Sequence, residues 1–127
     1  MSRSYRELLV WQKARKFAAQ VYEVTSGFPE RERYGLTSQL RRAAVSVASN
    51  IAEGQGRLTT GEFRQFLGQA RGSLLEVETQ LAIALDLGYL DNCKFDLLDQ
   101  ESYRVLGLLN RLLDSLRTES RVLTLKR

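Results

Sequence analysis

Between Leu36 and Glu53, apolar side chains return every three or four residues. At about 100° per residue, Leu36, Leu40, Ala43, Ala44, Val47 and Ile51 share one face of a helix. A narrower polar stripe lies opposite: Arg42, Ser46, Ser49 and Glu53. Val45, Ala48 and Ala52 fill the angles between, so little of this helix suits open water. A helix apolar around most of its circumference buries more than one side. In a chain this short, one of those sides is expected to meet another subunit, with the polar stripe forming an interface or a polar network.

The same period marks three more helices. The first is predicted at about Tyr5–Thr25, where Val10, Ala14, Phe17, Val21 and Val24 recur and Trp11, Ala18 and Tyr22 widen the stripe. Ser26-Gly27-Phe28-Pro29 ends it, and the charged stretch Glu30–Arg33 is a connection. The second is the 36–53 segment, stopped by Gly54 and Gly56. Thr59 and Glu62 form a capping box for the third, at about Thr60–Leu87, with Gly88 closing it. Inside that helix Gly68 and Gly72 leave room for a close neighbour. Asp91 or Asn92 starts the fourth, at about Lys94–Arg117, and the charged tail Thr118–Arg127 is expected to fray. No two-residue alternation stands out. Short connections make neighbours antiparallel. The prediction for residues 1–127 is a single all-α domain, an antiparallel up-down four-helix bundle.

Composition narrows the chemistry. The chain has no histidine and one cysteine, Cys93. That removes the commonest general base and any Cys/His zinc site. A lone cysteine fits a reducing, cytoplasmic setting, and no run approaches a membrane span. The basic, amphipathic start has neither an apolar core nor a small-residue cleavage site, so no targeting peptide is expected. Catalysis without a base or a metal site has no evident residue set here, and the reading is non-enzymatic, with no cofactor. Asp86, Asp91, Asp96 and Asp99 are too scattered to read as a metal site.

Charge is uneven. Residues 1–73 carry twelve Lys/Arg against six Asp/Glu, an excess of +6, while residues 74–127 carry seven against nine, or −2. A basic half favours an anionic partner. Lys13, Arg15, Lys16, Arg41, Arg57 and Arg64 are the candidate phosphate contacts, with Arg71 beside them. The bland alternative is a set of solvated cations, each near a carboxylate. Trp11 and Phe63 have the chemistry to stack on bases, but their helical spacing reads as core. Gly54-Gln55-Gly56-Arg57 leads into a helix N-terminus but lacks the context of a phosphate-binding loop, and reads as a stop, a turn and a cap.

Five segments occur in order: Leu9–Ala14, Phe28-Pro29 with Tyr34–Leu36, Gln39–Ala43, Ser49–Gly54 and Ala70–Ser73. Together they closely resemble the four-helix-bundle family encoded by intervening sequences within bacterial 23S rRNA genes. The resemblance covers most of the chain, from about Tyr5 to Leu116. It implies a homopentamer. It also brings in a relative, the accessory variability determinant protein of diversity-generating retroelements, a basic pentameric barrel that binds nucleic acid and a reverse transcriptase. No catalytic residues come with it. The expectation is therefore a homopentameric bundle binding RNA or DNA, with room for a protein partner of the reverse-transcriptase kind. The alternative is an interaction scaffold without nucleic-acid binding.

Overall fold

The computed structural model describes the backbone of residues 4–125 and the side chains of residues 4–117. Among the described residues the chain forms four α-helices: α1 (Leu9–Thr25), α2 (Leu36–Gln55), α3 (Thr60–Asp86) and α4 (Asn92–Leu125). Contacts run between consecutive helices and close between α1 and α4. The result is the antiparallel up-down bundle that the periodicity predicts.

Five boundaries differ from the sequence reading. The first helix begins at Leu9, not Tyr5. Tyr5–Glu7 form a separate 3-10 turn, because the Ser4 hydroxyl accepts the Arg6 amide and Leu8 is extended. α2 runs through Gly54 to Gln55. Gly54 is buried there, and a Cβ on it would lie 2.7 Å from Phe66 Cβ, so this glycine serves a close approach of α3 and not a stop. α3 ends at Asp86. Gly88 then takes φ +76, with its amide on the Leu85 carbonyl and the Tyr89 amide on the Ala84 carbonyl, a Schellman ending. α4 starts at Asn92 behind Asp91, whose carboxylate accepts the Lys94 amide at 2.8 Å. It continues as helix to Leu125, through the charged tail for which the sequence predicts fraying; Lys126 and Arg127 lie outside the described residues.

Half of the Thr59 capping box forms as predicted: the Glu62 amide donates to the Thr59 hydroxyl at 3.1 Å, but the Glu62 carboxylate accepts from that hydroxyl and not from the Thr59 amide. The core stacks Phe17 and Val21 of α1, Leu40, Val47 and Ile51 of α2, Leu67, Leu74 and Leu81 of α3, and Leu98 and Leu109 of α4. Each large side chain contributes about 1.5–3 kcal/mol on burial. Trp11 and Phe63 pack against this core, and Trp11 meets Tyr5 edge-on at 5.0 Å.

α2 sits between α1 and α3, and this accounts for its broad apolar surface. Ala43 lies beside Ser73 and Glu76 of α3, and both Ala43 and Ala44 are buried within one protomer. Ala48 and Ala52 are half-buried. Only Val45 among its apolar side chains stays well exposed, at 42%. The extra sides of this helix are thus largely used by its own chain.

Two loops meet at one end of the bundle. The Tyr89 hydroxyl donates to Glu32 at 2.8 Å, and the Leu36 amide donates to the other carboxylate oxygen at 3.0 Å. Those two hydrogen bonds, the Leu36 one foremost, hold the Glu32 carboxyl below the usual carboxylate range, helped by Arg31 and opposed by desolvation. Phe28 packs on Tyr89 with ring centres 5.4 Å apart. This clasp joins the α1–α2 connection to the α3–α4 turn. It fixes the loop that carries Arg33 and Tyr34.

Candidate nucleic-acid interface

The cations predicted from sequence are not gathered on one surface. Lys13, Arg15 and Lys16 do not share one surface of α1: Lys13 faces α4 with the exposed Lys16 one turn on beside it, while Arg15 lies away from them over the Trp11 ring at 5.2 Å. Arg41 is committed to structure. Its Nε donates to the Thr25 hydroxyl at 2.8 Å and its Nη2 to the Tyr22 carbonyl at 3.2 Å and the Ser26 hydroxyl at 3.4 Å. It satisfies the open end of α1 and stacks on Tyr22 at 4.6 Å. Arg57 pairs with Glu53 at 3.3 Å and covers the Phe66 ring at 4.5 Å. Arg64 is half-buried on α3, and its Nε has no partner among the described residues. Arg71 donates to Asn110 across the α3–α4 seam at 3.0 Å. At the turn itself, Gly56 caps α2 and the Arg57 amide closes on the Gly54 carbonyl at 3.0 Å.

The polar stripe of α2 also divides. Ser46 shares a hydrogen bond with Ser73 of α3 at 3.0 Å, and Asn50 donates to the Ser46 hydroxyl and carbonyl, each at 2.9 Å. Gln80 forms a second group, donating to Gln39 at 3.4 Å and to Glu76 at 3.3 Å. Glu53 joins Arg57 on the surface instead, and Ser49 is exposed. Arg42 is exposed as well, with no hydrogen bond or ion pair among the described residues. Within one protomer, the network contains Ser46 but not Arg42, Ser49 or Glu53.

Two basic concavities emerge that the chain order hides. One, of about 310 Å³, lies between α1 and α4 and is lined by Lys13, Tyr103, Arg104, Gly107, Leu108 and Arg111. Arg104 also holds Glu101 at 2.9 Å, while no carboxylate lines the groove. The other, of about 380 Å³, opens where α1 ends and α2 begins. Tyr22, Arg33, Tyr34, Arg41 and Arg42 line it, again without a carboxylate. Sequence reasoning misses Arg104 and Arg111 because they belong to the acidic half, and misses Arg33 and Tyr34 because they sit in a connection. Tyr22 falls on the core stripe by its period, yet it is exposed. The usable signal is Tyr34 itself, an aromatic outside any helical period, 86% exposed in the fold.

Among the described residues, no three His, Cys, Asp or Glu side chains are grouped to hold a metal ion. Nor is any helix among them long and apolar enough to cross a membrane.

Comparison with known proteins agrees with this fold. The chain is similar to a crystal structure from Bacteroides thetaiotaomicron, described as a protein with unknown function from the S23 ribosomal protein family. The TM-score is 0.77 at 20% identity, covering 84% of this chain and 96% of the other. At that identity the likeness speaks for the fold alone. No curated protein matches. A family model described as 23S rRNA-intervening sequence protein matches residues 6–111. That span contains α1, α2 and α3 whole and the first part of α4, and the chain belongs to the 23S rRNA-intervening sequence protein family.

Proposed function

We propose that this protein is a non-enzymatic homo-oligomer, a ring of five, that holds RNA or DNA through its phosphates. The observation that carries the reading is the α1–α4 groove, where Lys13, Arg104 and Arg111 converge without a carboxylate in the lining. Lys16 extends the charge outward on α1. Phosphate recognition needs cations that are not already neutralised: Lys13 and Arg111 have no ion pair among the described residues, while Arg104 shares its charge with Glu101. A ring repeats each of them, so modest charge per chain becomes a broad field. Binding through phosphates carries little sequence preference.

The outer face of α3 supports assembly. Gly68 and Gly72 lie on it, and a Cβ added at either would meet nothing within 4 Å. Leu75 and Ile83 are exposed on the same helix. Each interior glycine costs about 1 kcal/mol of helix propensity. Inside one protomer nothing offsets that cost, whereas a second copy could approach closely there.

Light scattering at micromolar concentration tests the ring: the expected mass is about five times 14.5 kDa, and a monomer ends that part of the reading. Titration against a structured RNA at several salt concentrations tests the rest. Affinity should fall steeply with salt, and Lys16→Glu with Arg111→Glu should weaken it for every sequence and flatten its salt dependence. No binding at low salt would leave an interaction scaffold.

A further inference from the structure

We infer that the concavity between the end of α1 and the start of α2 is a binding site for single-stranded nucleic acid, taking a base on Tyr34 and its phosphate on Arg42. The inference rests on the nucleic-acid reading above and adds the strand type and the site. It starts from how each side chain in the groove is occupied. Arg41 lies over Tyr22 at 4.6 Å, and three further hydrogen bonds hold it, so this pair forms a fixed wall. Arg33 lies over Tyr34 at 5.5 Å, and both line the same groove. Arg33 pairs with Glu30 at 3.5 Å, with both side chains largely in solvent, so it is weakly held. Arg42 lines the groove as well, without a hydrogen bond or ion pair among the described residues.

The groove thus combines a free guanidinium, a weakly held one and an aromatic ring with 86% of its surface in water. Loop flexibility does not explain the exposed ring. The Glu32–Tyr89–Leu36 clasp pins the loop two residues before Tyr34 and two residues after it. An exposed ring on a fixed backbone is a stacking platform with little ordering cost. A base on a tyrosine with its phosphate on an arginine is the recurrent mode for single strands, whose bases are free to turn outward. A duplex keeps its bases stacked on each other and offers Tyr34 nothing but its backbone. An acidic protein segment would match the arginines but would leave the ring unused.

Fluorescence anisotropy with labelled oligo(U) of about twelve nucleotides and with an RNA duplex of about twelve base pairs separates these cases. The full chain should bind oligo(U) more tightly than duplex. Tyr34→Ala should weaken oligo(U) binding roughly tenfold and change duplex binding little. Tyr34→Phe should retain the oligo(U) affinity, because the ring and not the hydroxyl carries the contact. Arg42→Ala should weaken oligo(U) and lower its salt dependence by about one phosphate contact. Unchanged oligo(U) binding in Tyr34→Ala, with duplex binding intact, would overturn this site and leave the phosphate-binding proposal standing. Failure of both RNAs to bind would overturn both. Competition by poly-glutamate as effective as by unlabelled oligo(U), or a fall in oligomer mass in Tyr34→Ala, would also overturn it, the second by making the patch an interface between copies.

Discussion

The two flanks of α2 use polar side chains to opposite ends. On the α3 flank, Ser46, Asn50 and Ser73 form one hydrogen-bonded group and Gln80, Gln39 and Glu76 a second, with Gln80 Oε1 alone left without a partner in these two groups. On the α1 flank, Tyr22 and Arg41 are held, but Arg33, Tyr34 and Arg42 face water with weak partners or none described. Arg42 lines a concavity on each flank. The difference is in how many of the polar groups are paired. Polar groups that complete each other stabilise a seam, and polar groups left incomplete on a rigid surface are available to a ligand. Residue type alone does not separate the two cases, because both flanks contain hydroxyls, charges and small residues.

The sharpest way to break the seam is Gly54→Ala. The new methyl would meet Phe66 Cβ at 2.7 Å and Phe63 Cδ1 at 3.1 Å, and neither is the loose end of a flexible chain. α2 and α3 must then part at that end. Overpacking of this kind costs about 1–3 kcal/mol. Thermal melts at fixed protomer concentration should show a Tm lower by several degrees. An unchanged Tm would mean that the helices part at no cost, and the contrast between a tight flank and an open one would fall.

Much of this is legible in the chain. The helical period of Leu36, Leu40, Ala43, Val47 and Ile51 predicts α2, and Thr59 with Glu62 predicts the start of α3, because both signals are local. The close approach at Gly54 is not legible: a glycine at a helix end reads as a stop, and only the position of Phe66 on another helix shows otherwise. The same limit hides the basic grooves. Arg111 and Lys13 are distant in sequence and meet only because α4 returns beside α1. Conversely, Arg41 reads as a free cation because its acceptors, the last carbonyls and hydroxyls of α1, carry no charge. Charge counting finds carboxylate partners but not helix ends.

Adjacent arginines provide the next contrast. Arg41→Ala should cost about 1–2 kcal/mol, since a charged donor to Thr25 and to the Tyr22 carbonyl is lost. Arg42→Ala should change stability by no more than about 0.5 kcal/mol, as expected for an exposed side chain without a described contact. Urea denaturation of both variants measures this directly. If Arg42→Ala proves the more destabilising, Arg42 is held by something outside one protomer, and the open flank of α2 is a subunit interface.

The smallest effect concerns the clasp that holds the open flank still. Glu32 is ionised when it accepts the Leu36 amide and the Tyr89 hydroxyl, and its folded pKa lies below the ordinary value of 4.5. A depressed carboxyl pKa means that the ionised form is favoured by folding. The stabilisation is therefore complete above the unfolded value and is lost as pH falls through the folded one. Wild type and Glu32→Gln should differ by a constant stability from about pH 7 down to about 5, and the gap should close as pH falls below 4.5. Tyr89→Phe removes one of the two donors, so the folded pKa should rise toward 4.5 and the pH-dependent part should shrink without vanishing, since the Leu36 amide remains. A gap that persists unchanged at about pH 3 would show that the clasp does not depend on the charge of Glu32. In that case the fixed position of Tyr34 would have to come from Phe28 packing on Tyr89.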